Sequence, residues 1–115
     1  MTKTAHRLPD SDAHFRVGLY PERDCVRVVP VGELDVATVG ELEEALRDLH
    51  DGGFARIVVD LRELEFLGSA GLRLLVMQHD LARRDGHEFA LIDGPPGVRR
   101  VIELCGLREQ LHFVS

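Results

Sequence analysis

A chain of 115 residues is long enough for one real hydrophobic core and too short for two ordinary domains. Its 44% hydrophobic and 30% charged content is that of a folded chain rather than a disordered one. Between residues 33 and 51 seven acids face one base, Arg47, which accounts for the whole net charge of -6 and leaves the rest of the chain balanced. Nucleic-acid binding needs clustered Lys and Arg, so no nucleic-acid partner is expected. The acidic stretch reads as a solvated helix face or as a contact for a basic protein partner. No apolar run approaches the roughly 20 residues that span a bilayer, and the stretch from Met1 to Ser11 lacks an apolar segment. The expectation is a cytoplasmic protein without a membrane partner.

Residues 1–11 are polar and predicted to form a flexible N-terminal segment, leaving 12–115 as the domain. From His14 to Tyr20, alternation places Phe15, Val17 and Leu19 on one face of a strand. After a turn at Pro21 to Asp24, Cys25 to Val31 returns as its antiparallel partner, and Pro30, which lacks an N–H, is expected to end or bulge it. From Val36 to Leu49 the period changes, with Val39, Leu42, Leu46 and Leu49 along one helical stripe. Asp35, or a box of Thr38 with Glu41, caps that helix. Ala55 to Leu61, with its run Ile57-Val58-Val59, is expected as a central strand covered on both faces.

The cycle then repeats. Ser69 to Arg84 carries Leu72, Leu75, Val76 and His79 on one stripe, widened by Leu74, Met77 and Leu81, and Gly86 closes it. Glu88 to Ile92 is the next strand, Pro95-Pro96-Gly97 a stiff loop, Val98 to Cys105 a short helix, and Leu111 to Val114 a last strand. Such alternation implies parallel strands joined by right-handed crossovers and added to the opening hairpin. The predicted fold is α/β: a single domain with a mixed four- to five-stranded sheet, an antiparallel N-terminal hairpin, parallel strands and three or more helices. So few helices leave one sheet face free to meet solvent or a partner.

Enzyme chemistry finds little support. Dinucleotide and phosphate-loop motifs are absent, and Cys25 and Cys105, 80 positions apart, read as buried thiols rather than metal ligands. Ser69 and His79 lie about 15 Å apart along one helix, too far to share a proton. Ser69 nevertheless stands out as the only serine inside the predicted body, the others being Ser11 and Ser115. It lies where a loop feeds a helix, and an N-cap role alone would account for it. The same position offers free backbone N–H groups and the positive end of the helix dipole, which tolerate a phosphate. Gly68, Ala70 and Gly71 are small and keep the loop low. A phosphate there adds roughly -1.5 to -2 charges, which a covering partner must desolvate.

Three segments together resemble the STAS domain of bacterial anti-sigma factor antagonists. They are Gly32-Glu33-Leu34-Asp35, then Val58-Val59-Asp60-Leu61 with Leu64 and Phe66 leading to Gly68-Ser69-Ala70-Gly71-Leu72, and the late Val98, Val101, Ile102, Cys105-Gly106-Leu107 pattern. The resemblance implies a non-enzymatic partner-switching protein without a cofactor of its own. Its partner would be an anti-sigma factor of serine-kinase type that brings ATP and magnesium, and its binding would release a sigma factor for transcription. Phosphorylation of the family's serine ends binding and a phosphatase restores it. Ser69 matches that serine, and Asp35 matches a loop acid near it. The partner surface is expected to comprise Asp35, Gly68, Ser69, Ala70, Gly71 and Leu72. Where the family usually has Asp before the serine this chain has Gly68, and Ala70 replaces the next hydroxyl residue. The alternative is a STAS module that senses a small ligand or assembles with other proteins without phosphorylation.

Overall fold

The computed structural model describes residues 15–114. The flexible segment expected over residues 1–11 therefore lies outside the described residues. Six strands and three helices alternate in the order β1 (Arg16–Pro21), β2 (Val26–Leu34), α1 (Val39–Asp51), β3 (Arg56–Asp60), β4 (Leu64–Leu67), α2 (Ser69–Asp85), β5 (Glu88–Ile92), α3 (Pro96–Leu104) and β6 (Phe113–Val114). The main sheet runs β1-β2-β3-β5-β6; β1 and β2 are antiparallel, and β2-β3, β3-β5 and β5-β6 are parallel. This is the mixed sheet with three helices that the sequence predicts. The fourth strand in chain order, β4, was not foreseen, and it pairs only with the far end of β2.

That far end exists because β2 does not stop at Pro30. Its parallel pairing with β3 ends at Val28 and its pairing with β4 begins at Gly32. Pro30 falls in the gap between these partners, where a missing N–H breaks neither parallel ladder. The irregularity comes instead between Gly32 and Glu33, where the register shifts and Gly32 takes a φ of 112°, a conformation that favours glycine. At the other end of the chain, α3 starts at Pro96 rather than Val98, because proline at the first helical position loses only an N–H that has no intrahelical partner.

The helices build one core. Leu42, Leu46 and Leu49 of α1, Leu72 and Leu75 of α2, and Val98 and Ile102 of α3 join a single cluster with Val26, Val28, Ile57, Val59, Phe89 and Leu91 of the sheet. Val29, Val58 and Ala90 point to the opposite face and stand outside that cluster, although they are buried. The helices thus cover β3 on one side, not on both. On the other side an ionic array crosses the strands. Arg27 Nη1 donates to Asp60 Oδ2 at 3.0 Å, and Arg62 Nε and Nη2 donate to the two oxygens of Asp60 at 3.0 and 2.8 Å. Burial by itself would raise the Asp60 carboxyl's pKa, but these hydrogen bonds outweigh it and hold the group below the usual carboxylate range.

Neither cysteine is a core thiol. Cys105 follows α3 as its exposed C-cap, and Cys25 is half-buried in the hairpin turn, where burial and Glu22 push its thiol up. Among the described residues no helix is long and apolar enough to cross a membrane.

Candidate partner-binding site

The bulged end of β2 and the short strand β4 set the geometry of the serine loop. Leu34 pairs with Leu67, and the Gly68 N–H donates to the Leu34 carbonyl at 2.9 Å, so the chain turns into α2 directly beside the exit of β2. Gly68 is the N-cap, in extended conformation, and Ser69 is the first helical residue. The capping role considered for Ser69 is therefore not the one it has: no side-chain cap hydrogen bond is made, and Ser69 is exposed. Its hydroxyl sits at the positive end of a 17-residue helix.

Asp35 comes to the same place from the other chain segment. A Cβ built on Gly68 would lie 3.6 Å from the Asp35 Cβ and 3.6 Å from the Leu34 carbonyl oxygen. The Asp35 loop is fixed by a buried hydroxyl. Thr38, wholly buried, donates from Oγ1 to the Glu33 carbonyl at 2.7 Å and accepts from the Asp35 N–H at 3.0 Å. The Asp35 carboxylate accepts from the Ala37 N–H at 3.0 Å, and its carbonyl accepts from Thr38 and Val39 at 3.1 and 2.8 Å. Thr38 is thus the N-cap position of α1 by backbone, while its side chain is spent on the loop that presents Asp35.

Of the six residues expected at the surface, Asp35, Gly68, Ser69 and Ala70 are at least partly accessible. Gly71 and Leu72 are buried and face inward. A Cβ on Gly71 would lie 2.7 Å from Leu34 Cγ and 3.0 Å from Leu67 Cδ1, so glycine here lets α2 close onto β2 and β4. Their burial gives those two residues the role of shaping the site from below. Conversely, two side chains not expected in the partner surface stand at its rim. Phe66 is 48% exposed, with a ring carbon 3.1 Å from where a Gly68 Cβ would be, and Val36, next to Asp35, is 83% exposed. An exposed aromatic and an exposed aliphatic residue flanking a hydroxyl and a carboxylate form a surface suited to protein recognition.

The fold and this loop pair define a STAS domain. A family model described as MlaB, STAS domain, matches residues 18–114. An anti-sigma-B factor antagonist of Staphylococcus aureus is 33% identical over 81 residues, covering 70% of this chain and 75% of the relative. An anti-sigma factor antagonist structure from Mycobacterium paratuberculosis superposes with a TM-score of 0.76 at 25% identity, covering 91% of this chain and 89% of the other. The unphosphorylated form of the anti-sigma factor antagonist SpoIIAA shares the fold with a TM-score of 0.71 at 22% identity, over 86% of this chain and 88% of its own. The chain belongs to the STAS-domain family of anti-sigma factor antagonists.

Proposed function

We propose that this protein binds an anti-sigma factor of serine-kinase type through the surface formed by Ser69, Ala70, Gly68, Asp35 and the flanking Phe66 and Val36, and so releases a sigma factor. The observation that carries the reading is the exposed Ser69 at the first position of α2, free of any capping duty. In the kinase complex the Ser69 hydroxyl gives up its proton and takes the γ-phosphoryl group of ATP, and ADP leaves; the partner supplies nucleotide and magnesium. A phosphatase reverses the change. The phosphate is tolerated within the domain, since it meets backbone N–H groups and the helix dipole. It opposes docking, because roughly -1.5 to -2 charges beside Asp35 must then be desolvated under the partner.

Incubation with the cognate anti-sigma factor and Mg-ATP, followed by peptide mass spectrometry, tests the site. Modification at Ser69 alone is expected. A complex that forms while Ser69 stays unmodified contradicts the switch and leaves the binding reading standing. Ser69→Asp is expected to weaken the complex at least about tenfold, and Ser69→Ala to leave it within about twofold, the difference being the cost of burying a charge. Equal affinities of the two variants contradict the charge mechanism.

A further inference from the structure

The two crossover helices converge at the opposite end of the molecule. Between the second halves of α1 and α2 and the starts of β3 and β5 lies a cavity of about 250 Å³. Its floor is apolar, with Leu46, Ile57 and Phe89 all buried. Its mouth is apolar too: Phe54, Met77 and Leu81 are 44%, 46% and 36% exposed, although Met77 and Leu81 lie on the helix face that the sequence pattern assigns to the core. Along α2 the mouth residues Met77 and Leu81 lie about 12 and 18 Å from Ser69.

Among the residues that line the cavity carboxylates outnumber arginines, while Arg56 and Arg83 line the adjoining groove. Glu43, Asp85 and Glu88 line it against a single arginine, Arg47. The carboxylates have only surface partners: Glu43 meets Arg47 at 3.8 Å, Asp85 meets His50 Nε2 at 4.0 Å, and Glu88 meets Arg56 at 3.0 Å. Arg83 and Arg84 of the last α2 turn are not among its lining residues. The rings of His50 and His87, 5.0 Å apart and tilted, stand with Phe54 on its wall, and Met77 adds a thioether.

We infer that this cavity is a binding site for a small aromatic amine: a flat apolar body seated on Leu46, Ile57 and Phe89, with its ammonium held at the carboxylate rim. The volume lies just below the usual range for small-molecule pockets, which sets the ligand at one ring and a short chain. Ring faces and negative potential together select a cation over an anion. The site is separate from the Ser69 surface, so it stands or falls independently of the partner-binding proposal.

Amide NMR of the full chain, titrated with 2-phenylethylammonium and with 3-phenylpropanoate as its anionic counterpart, tests the inference. Saturable shifts are expected at His50, Phe54, Met77, Leu81, Asp85 and His87 for the amine below about 10 mM, with the carboxylate at least about tenfold weaker. Met77→Arg places a fixed cation at the mouth, on a side chain 46% exposed, and it is expected to abolish the amine shifts at unchanged thermal stability. Glu43→Gln with Asp85→Asn is expected to reduce the amine's advantage over the carboxylate to within about threefold. The inference is overturned if the carboxylate binds equally well, if Met77→Arg leaves the shifts intact, or if no saturable shift reaches these residues. It is also overturned if the same amides move with protein concentration alone, since a second copy then occupies the groove.

Discussion

Thr38→Val removes one hydroxyl and little else, and it tests how the Asp35 loop is held. The hydroxyl serves two backbone groups, the Glu33 carbonyl at 2.7 Å and the Asp35 N–H at 3.0 Å, and its side chain is wholly buried. Each buried backbone group left without a partner costs about 1–3 kcal/mol. Glu33 is exposed and Asp35 half-buried, so water relieves part of that cost, and the pair together is worth about 2–3 kcal/mol. In a domain of this size the loss corresponds to a fall in Tm of roughly 8–15 °C. Thr38→Ser keeps the hydroxyl and loses one buried methyl, for about 1 kcal/mol. Urea unfolding measures both variants, with m expected unchanged. Hydrogen exchange at the amides of Asp35 and Val39 is expected to quicken in Thr38→Val and not in Thr38→Ser. A valine variant as stable as the serine variant refutes the bridging role.

Other consequences follow from the same contacts. Gly40→Ala, with nothing within 4 Å of its new Cβ, is expected to stabilise by about 0.5 kcal/mol, whereas Gly71→Ala drives a methyl to 2.7 Å from Leu34 and is expected to destabilise by about 1 kcal/mol or more; equal signs in thermal melts contradict the packing account. Asp60 is held below its ordinary pKa, so its contribution is present above about pH 4 and is lost as pH falls through the lower folded value. Asp60→Asn is therefore expected to be less stable than the parent at pH 7, with the gap closing in acid; a gap that stays constant in urea melts from pH 7 to about pH 2 refutes that linkage. Phe66→Ala is expected to lower affinity for the anti-sigma factor about tenfold at unchanged Tm, measured by calorimetry, and an unchanged affinity removes Phe66 from the interface.

Where two residues share one local pattern, the sequence was a sufficient guide. Val17 and Leu19 of β1, with Phe15 just before it, alternate and face the core, and Glu88 to Ile92 forms the predicted strand at its predicted bounds. Short and non-local features were not legible. In β4 only Leu64 and Leu67 are buried while Glu65 and Phe66 are exposed, so no alternation marks it, and its pairing depends on β2 continuing past Pro30. Hydrophobicity also gave no means of separating the buried Leu72 from the exposed Phe66, because the difference lies in which neighbours close over each. Ser69 and Asp35 are 34 positions apart in the chain. The family resemblance suggested an acid near the serine, and the Leu34–Gly68 hydrogen bond shows how the two chain segments come together. Gly71 reads in sequence as a small residue that keeps the serine turn low, whereas its function is close approach of α2 to Leu34 and Leu67.

The central claim concerns one hydroxyl, and calorimetric titration of the anti-sigma factor with two preparations of this protein tests it most directly. One preparation carries stoichiometric phosphate on Ser69 and the other is the same sample after phosphatase treatment. The account predicts that phosphorylation weakens binding by about a hundredfold or more while the circular dichroism and Tm of the free domain stay unchanged. Equal binding by the two preparations, or a phosphorylated domain that no longer folds, contradicts it.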